Sequence, residues 1–561
     1  MLQRPHLLAH AGEIAGNFDI SSDQIQRLTR HFVRQLSKDT VDKNPVQWGA
    51  NGTTGDGLVN RRAWQLPAYV TRVPTGTEKG KFLAVDLGGS NCRICLVDLH
   101  GDSTFTLEQS KHKVPPDVMV NQSYRPLFDF IAERISEFLV SRLGLDINAG
   151  SGTDQKHQIP YNLGFTFSFT CEQASLERAT LIHWDKGWDI PDAIGKDPCV
   201  MLQEAIDKLR LPVTVAVLAN DSVGALLTRS YTSRQKASTL GAVIFGTGTN
   251  AAYIENISAA KWLAEEGLED EIMVMNTEWG CLGDQLDILP RTVFDDELDQ
   301  ASAEPGSQML EKRVSGLYLG ELLRLAILQL AGANSFSLKF SKSSALFQRE
   351  GIDSSFLSQL ATTDDNKNAS NIIEKTLSAE NVTMNDVQAI RILTTAICRR
   401  AGRLAGASLS ALIMQSGRLQ VPPSYGVKSQ DVEITEYETP KTPELPLSAL
   451  ERFRSRVKLV WRRILWILGM RSLAKTSMHY IQQHREVSKP SEESLEENMI
   501  DIGADGSLIE FYPNFEAEMR GAMREVPEIG LHGERKVQIS LTKDGSGVGA
   551  ALMAQAVKSQ P

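Results

Sequence analysis

The apolar residues of this chain recur with two periods, one typical of helices and one typical of strands. Ile25, Leu28, Phe32 and Leu36 follow helical spacing within residues 20–40. The same criteria predict further helices at 126–143, 222–231, 314–332 and 388–414. Short apolar runs of β type lie between these segments, so the pattern predicts an α/β chain with mixed sheets.

Two of the β-type regions have the form of a glycine hairpin. The first joins two apolar runs within residues 82–97 through the turn Gly88-Gly89-Ser90-Asn91. The second joins two runs within 241–254 through Thr247-Gly248-Thr249-Asn250. A single glycine hairpin carries little information. Two similar hairpins, each opening an α/β half, predict two related lobes that face a cleft.

The interval 419–498 differs in kind from the rest, and we predict that it is an insertion within the second lobe. Its first part, 419–450, has five prolines and is typical of an extended linker. Residues 452–475 carry eight Lys or Arg and no acidic residue, with apolar residues between them. An acidic, serine-rich stretch, 488–498, follows. We expect the basic segment to be tethered by a flexible arm.

Three interpretations of the basic segment 452–475 stay open. It is a membrane-surface or partner-binding helix, a nuclear-targeting or nucleic-acid patch, or a helix that packs its apolar stripe on the second lobe. Gly469 and the two central arginines, Arg462 and Arg463, argue against a bilayer-spanning role.

Composition narrows the class of protein. The 561 residues are 42% hydrophobic and 23% charged, as in a soluble globular protein, and no uncharged apolar run is long enough to cross a membrane. The net charge of −10 argues against direct nucleic-acid binding by the whole chain. Six cysteines in this length indicate free thiols in a reducing compartment, and no disulfide-linked partner. The predicted location is cytoplasmic, with the nucleus or an organelle surface as alternatives set by 419–498.

The glycine turns are candidate phosphate sites, because backbone N–H groups that no side chain shields bind anions. Asp86 precedes the first turn and is placed to hold Mg²⁺ through water. Thr247 and Gly248 would clasp a phosphate from the other side. The alternative is that both turns are structural hairpins only.

A second group of polar residues suits a polyhydroxylated ligand. Asn220-Asp221-Ser222 follows an apolar strand and opens a helix, so Asp221 is either a helix cap or a general base. Asn276-Thr277-Glu278, Gln308 and Glu311 offer amide and carboxylate groups that bind hydroxyls. Their spacing alone does not bring them together.

Taken in order, these motifs resemble those of the hexokinase/glucokinase family, and the stretch at 73–80 resembles fungal members of it. The motifs are V-P-T-G-T-E-K-G at 73–80, residues 82–93, L-G-F-T-F-S-F at 163–169, N-D-S-V-G at 220–224, G-T-G-T-N-A at 246–251, N-T-E-W-G at 276–280 and G-S-G-V-G-A-A at 545–551. The resemblance covers roughly 20–418 and 499–556. It implies the actin-like ATPase fold, in which two lobes, each a mixed five-stranded sheet with helices, close on a sugar. It also implies transfer of the γ-phosphoryl group of ATP, with Mg²⁺, to the 6-hydroxyl of glucose or a related hexose.

The resemblance also implies domain boundaries. Residues 20–79 form the N-terminal helix and lead-in of the large lobe, and 80–219 form the small lobe. Residues 220–418 and 499–556 form the large lobe, interrupted by 419–498.

The resemblance assigns roles to individual residues. Asp221 matches the base that takes the 6-hydroxyl proton, and Lys186 matches the cleft lysine that binds sugar and neutralises the transferring charge. The residues matched to sugar contacts are Ser168, Phe169, Asp185, Lys186, Asn220, Asp221, Asn250, Glu278, Gln308 and Glu311. Those matched to ATP are Asp86, Gly88, Gly89, Ser90, Asn91, Thr247, Gly248, Gly506, Ser507 and Ser546. Arg93 is also retained, with either a phosphate-supporting or a structural role.

The chain departs from the family pattern in the sugar strip of the small lobe. Asp185 stands where the family usually has threonine, and its carboxylate would pair with Lys186 or repel the γ-phosphate. Thr170 replaces a proline, Glu172 and Glu177 add charge nearby, and a glycine is missing around 178–180. Two hypotheses follow. The protein is a working or weakened hexose kinase, or a catalytically inactive regulator or sugar sensor, for example of carbon starvation, acting in the nucleus.

Overall fold

The structure is a computed structural model and describes residues 7–39, 65–144, 161–233, 239–258, 271–285, 288–419 and 499–558. The predictions made for the linker, the basic segment and the acidic stretch of the insertion lie outside these residues. None of the helices within the described ranges has the length and apolar character needed to cross a membrane.

The strands and helices alternate along the chain as the periodicity predicts. The strands are β1 (Leu66–Pro67), β2 (Lys79–Gly88), β3 (Asn91–His100), β4 (Phe105–Lys113), β5 (Tyr161–Phe167), β6 (Thr170–Gln173), β7 (Ala179–His183), β8 (Val213–Ala219), β9 (Thr239–Phe245), β10 (Thr249–Asn256), β11 (Ile272–Asn276), β12 (Lys339–Phe340), β13 (Ala379–Glu380), β14 (Ile500–Asp505) and β15 (Val537–Leu541). The helices are α1 (Leu7–Gly16), α2 (Ser22–Asp39), α3 (Pro116–Met119), α4 (Arg125–Leu143), α5 (Pro198–Lys208), α6 (Asp221–Thr232), α7 (Val293–Ala301), α8 (Glu311–Val314), α9 (Gly316–Gly332), α10 (Ser354–Thr362), α11 (Asn366–Leu377), α12 (Met384–Gln415), α13 (Ser507–Phe511), α14 (Phe515–Glu525), α15 (Gly530–Arg535) and α16 (Gly545–Lys558).

The first glycine hairpin forms the centre of one sheet. Strands β2 and β3 pair antiparallel up to the register Gly88–Asn91, as predicted. Within the described residues this sheet has the order β4-β3-β2-β5-β8, in which β5 and β8 run parallel to β2. The small lobe is therefore a mixed five-stranded sheet, as expected.

The second glycine hairpin occupies the same place in a second sheet. Strands β9 and β10 pair antiparallel, and β14 and β15 continue the sheet in parallel. The order β11-β10-β9-β14-β15 repeats that of the first sheet, which confirms two related lobes. One detail differs from the prediction, because the two-residue strand β1 pairs with β11 and adds a short sixth strand at that edge.

The two sheets are separated by a shared layer of helices. One apolar cluster lies between the small-lobe sheet and helices α4 and α5, and another fills the large lobe around α12. A third cluster joins the inner faces of both sheets through α6 and α16. Helix α16 contacts α6 as well as β2, β5 and β8, so it belongs to the layer that both sheets share. The close approach needs a glycine on the strand, because a Cβ on Gly164 of β5 would lie 2.2 Å from the carbonyl oxygen of Ala550 in α16.

Candidate active site

A cavity of about 500 Å³ brings nearly all of the predicted site residues together. Both glycine turns, the start of α6 and the turn after β7 line it. The predicted residues on its wall are Asp86, Gly88, Gly89, Ser90, Asn91, Ser168, Asp185, Lys186, Asn220, Asp221, Thr247, Gly248, Asn250, Glu278, Gln308, Glu311, Gly506, Ser507 and Ser546. The cavity has room for a ligand the size of a sugar joined to a nucleotide phosphate chain.

Phe169 is the exception among the predicted contacts. It does not line this cavity, and its ring packs against Phe167, Trp184 and Trp188 in the core of the small lobe. The physical reason is the period of two in extended chain, which turns Phe167 and Phe169 to the core and Ser168 to the cleft. Phe169 contributes to the site through Lys186, whose Nζ lies 5.5 Å from the centre of its ring.

Asp221 lies at the end of β8, in the first turn of α6. The helix is capped by its neighbour, because Asn220 Oδ1 accepts a hydrogen bond from the Ser222 N–H at 3.0 Å. The carboxylate of Asp221 also accepts from Ser222 N, at 2.8 Å. Burial raises the pKa of Asp221 above its ordinary value, although the positive charge of Lys186 acts in the opposite direction. A buried carboxyl with a raised pKa is suited to accept a proton near neutral pH.

Lys186 is held by its immediate neighbours. Its Nζ donates to the Ser168 carbonyl oxygen at 2.8 Å and lies 3.2 Å from Asp185 Oδ2. Burial alone would lower the pKa of Lys186, but Asp185, followed by Glu311 and other carboxylates, outweighs it and raises the pKa above its ordinary value. Lys186 is therefore a permanent cation, and part of its charge is engaged by Asp185.

An amide network positions Asn250 and Glu278. Asn250 Nδ2 donates to Asn220 Oδ1 at 3.2 Å and to Asn276 Oδ1 at 2.8 Å. Asn276 Nδ2 in turn donates to Glu278 Oε1 at 2.8 Å. Burial raises the pKa of Glu278 to about 7, although Asn276 opposes this shift. The network orients an amide and a carboxylate on the cavity wall, as recognition of hydroxyl groups requires.

Glu311 is hydrogen-bonded to the second glycine turn. Its Oε2 accepts from the Thr249 N–H at 2.8 Å. A Cβ on Gly248 would lie 2.7 Å from the same oxygen and 2.9 Å from Lys186 Cε, so a larger residue there would displace one of these side chains. Burial raises the pKa of Glu311, and Lys186 opposes the shift.

An ionic cluster lies around Asp86, beside the first glycine turn. Asp86 Oδ2 accepts from Ser546 Oγ at 2.7 Å and lies 2.5 Å from Arg93. Arg93 also pairs with Asp544 at 3.5 Å. Both Arg93 and Ser546 line the cavity, and their contact with Asp86 joins the first glycine turn to α16.

Three residues of the cavity wall adopt a backbone conformation that residues other than glycine rarely use. Lys186, Glu278 and Gln308 have φ values of 55°, 48° and 55°. Such residues cost about 1–3 kcal/mol each unless the surroundings hold them. Their grouping in one cavity indicates that the fold spends stability to aim these three side chains.

Several residues of the wall were not predicted from the sequence. Asp505 ends β14 beside Gly506, and burial raises its pKa to about 6. Its position at the end of a strand was a usable signal. Lys111 is the register partner of Arg93 on β4, and no sequence signal pointed to it. The other additions are Ile244, Gly246, Thr249, Glu510 and Phe511.

The donor set fits Mg²⁺ together with nucleotide phosphates. Asp86 and Asp505 supply hard carboxylate oxygens on the cavity wall, the kind of ligand that Mg²⁺ binds directly or through water. The described residues contain no group of three or more His, Cys, Asp or Glu placed to hold a metal by themselves. The residues therefore suit an ion that arrives with phosphate oxygens as further ligands.

Replacing Glu278 with glutamine should change how stability depends on pH. The folded-state pKa of about 7 lies above the ordinary 4.5, so the native chain holds this proton more tightly than the unfolded chain. Its contribution to stability is full below pH 4.5 and is lost as the pH rises through about 7, by about 3 kcal/mol. Calorimetry should show that the melting temperature of Glu278→Gln rises relative to that of the native chain between pH 5 and pH 8.

The matched control for that measurement is Glu177→Gln, which makes the same change at an exposed position away from the cavity. Its melting temperature should follow that of the native chain at both pH values. A constant difference between Glu278→Gln and the native chain would contradict the raised pKa.

Comparison with known proteins places this fold and cavity. Two profiles of the hexokinase family match residues 10–231 and residues 240–440 with 445–556. A glucokinase of Aspergillus niger is 37% identical over 98% of this chain and 97% of its own length. Glucokinase-1 of Saccharomyces cerevisiae is 32% identical over 97% and 96%. A hexokinase from Schistosoma mansoni complexed with glucose superimposes with a TM-score of 0.71 at 26% identity, covering 98% of this chain and 99% of that one. The repeated sheet, the shared helix layer and these matches together show that the chain belongs to the hexokinase family.

Proposed function

We propose that this protein transfers the γ-phosphoryl group of ATP to the 6-hydroxyl of a hexose such as glucose, with Asp221 as the general base. The observation that carries the proposal is the position of Asp221. Its buried carboxyl, with a raised pKa, lies in one cavity with both glycine turns and with the hydroxyl-binding groups of Asn250, Glu278 and Glu311. The same cavity can therefore hold the acceptor hydroxyl, the general base and the phosphate groups of ATP.

The reaction needs one proton transfer and one displacement. Asp221 accepts the proton of the 6-hydroxyl, and the oxygen forms a bond to the γ-phosphorus. The bond from that phosphorus to the β–γ bridging oxygen breaks, and ADP leaves with the electron pair. Asn250, Glu278 and Glu311 hold the other hydroxyls, which fixes the 6-hydroxyl in line with the phosphate. Lys186 neutralises charge on the equatorial oxygens.

The phosphate cradle consists of the two glycine turns. N–H groups of Gly88–Asn91 and of Thr247–Gly248 are available to phosphate oxygens, and Gly506 and Ser507 are proposed for the adenosine side. Asp86, with Asp505 nearby, would hold Mg²⁺ through water, and the ion would supply charge neutralisation on the phosphates. Arg93 forms an ion pair with Asp86 and holds it in place, which favours the structural role for this arginine.

The direct test is phosphorylation by the purified full-length chain. With glucose and Mg-ATP we expect equal amounts of ADP and of a sugar phosphorylated at the 6-hydroxyl. Because Asp185 weakens catalysis, the turnover number should lie below the range of roughly 1–10³ s⁻¹ that is typical of enzymes. Formation of ADP without phosphorylated sugar, or of neither product with any hexose, would contradict the proposal.

A second function is favoured by the contact between Asp185 and Lys186. Because Lys186 Nζ lies 3.2 Å from Asp185 Oδ2, the charge meant for the transferring phosphate is partly engaged before ATP binds. A protein of this kind would bind sugar without turnover and act as a sensor or regulator. Trp184 and Trp188 flank this pair, so quenching of their fluorescence by sugar, in a chain that forms no ADP, would favour this second function.

A further inference from the structure

A small side cavity of about 40 Å³ opens behind the turn that carries Asp185. It shares Asp185, Lys186, Gln308 and Glu311 with the main cavity, whereas Asp221 lines only the main cavity. A sugar placed with its reacting hydroxyl at Asp221 would therefore turn a different carbon toward the side cavity. The volume suits a small substituent rather than a second ring.

Asp185 has one oxygen engaged and one without a partner. Oδ2 faces Lys186 Nζ at 3.2 Å, whereas Oδ1 is buried and accepts no hydrogen bond. The side chain is only 9% exposed. A buried acceptor without a donor is unfavourable, so a ligand that brings a donor gains affinity. Hydroxyl and N–H groups can both donate a hydrogen bond to Oδ1. The charges around the site decide which of the two donors binds better.

The charge balance at this position favours nitrogen. Lys186 feels four carboxyl groups, those of Asp185, Glu311, Asp221 and Glu278. Lys312, which also lines the side cavity, is already paired with Asp299 at 2.6 Å. The carboxyl groups around the proposed sugar site therefore outnumber the free cations of the described wall, and Asp185 itself is available to a donor. A cationic or strongly polarised N–H is a better partner for it than a hydroxyl.

The apolar wall of the side cavity also suits such a substituent. Its lining includes Ala303 and the rings of Trp188 and Tyr318. An amine needs only the carboxylate, and an acylated amine would in addition place its methyl group against these apolar side chains.

We propose that Asp185 is a specificity-determining residue that selects hexoses carrying a nitrogen substituent, whose N–H donates to its carboxylate. The proposal rests on the assignment of this cavity as the sugar site under the proposed function. It also accounts for Lys186, because a nitrogen that pairs with Asp185 competes for the carboxylate and frees the lysine for the phosphate. On this proposal Asp185 suits an amino sugar or an acylated amino sugar better than it suits glucose.

The test compares glucose, glucosamine and N-acetylglucosamine as ligands of the full-length chain. Calorimetric titration gives their Kd values, and ADP formation with Mg-ATP gives kcat/KM. We expect at least one nitrogen-bearing sugar to bind about tenfold or more tightly than glucose. Asp185→Thr should abolish that preference, and Glu177→Gln, an exposed carboxylate of the same lobe, should keep it. A preference for glucosamine alone identifies the charged amine as the source, whereas binding of the acetylated sugar as well identifies the N–H itself.

The outcomes separate this inference from the proposed function. Equal or tighter binding of glucose by the native chain overturns the inference, even where glucose is phosphorylated. A nitrogen preference that survives Asp185→Thr, or a chain that binds none of the three sugars, overturns it as well. A preference that depends on Asp185 in a chain that forms no ADP supports the inference and removes the proposed function.

Discussion

Asp221→Asn should lower kcat by about 10²- to 10⁴-fold while sugar still binds. Asparagine has nearly the size of aspartate and retains an oxygen that can accept from the Ser222 N–H, so the start of α6 should keep its geometry. It cannot accept the proton of the sugar hydroxyl. The loss should therefore appear in kcat, measured by ADP formation, and much less in the Kd for sugar measured by titration.

The pH profile supplies a second readout for Asp221. Because burial raises the pKa of this carboxyl, activity should fall on the acidic side at a pH above the ordinary range of aspartate. Glu177→Gln should reproduce the native profile. An Asp221→Asn variant with native kcat would remove Asp221 from the role of base.

Asp185→Thr should raise kcat/KM for glucose by about 10²- to 10³-fold. The change removes the carboxylate that lies 3.2 Å from Lys186 Nζ and supplies a neutral hydroxyl, which returns the full charge of the lysine to the phosphate. The gain should arise in the phosphoryl-transfer step, so kcat should rise more than the affinity for glucose. The measurement is the coupled assay of both chains at the same glucose and Mg-ATP concentrations.

Asp185→Asn separates charge from hydrogen bonding in that experiment. Asparagine keeps the shape and an acceptor oxygen but carries no charge. If the charge of Asp185 is the obstacle, Asn and Thr should both raise the rate, whereas a need for the hydroxyl would favour Thr alone. A native chain whose turnover of glucose is unchanged by either substitution would contradict weakening by Asp185.

Sequence reasoning succeeded where the signal was local. Each glycine turn is flanked by its own two strands, so the hairpins and the position of Asn220-Asp221 at a strand end followed from neighbouring residues. The proximity of Asp185 and Lys186 followed in the same way. The phosphate-side wall was harder, because Lys111 reaches the cavity only through the register of β3 with β4.

The position of Phe169 has a physical cause that the sequence contained in part. The alternation of Thr166, Phe167, Ser168 and Phe169 already separates a cleft face from a core face, and period two would have turned Phe169 inward. The contacts of the last helix with both lobes could not be predicted for another reason. Its glycines and alanines permit close approach to any sheet, and nothing in their order says which of the two sheets it covers.

The position of α16 has a consequence for biosynthesis. Strands β2, β5 and β8 leave the ribosome long before the residues of α16, yet this helix covers their inner face. Domains that fold during synthesis normally complete their core as they emerge. Here the inner face of the small lobe lacks the cover that α16 supplies until almost all of the described chain has been made. A nascent or prematurely terminated chain would therefore expose apolar strands, which makes it a client for chaperones and prone to aggregation.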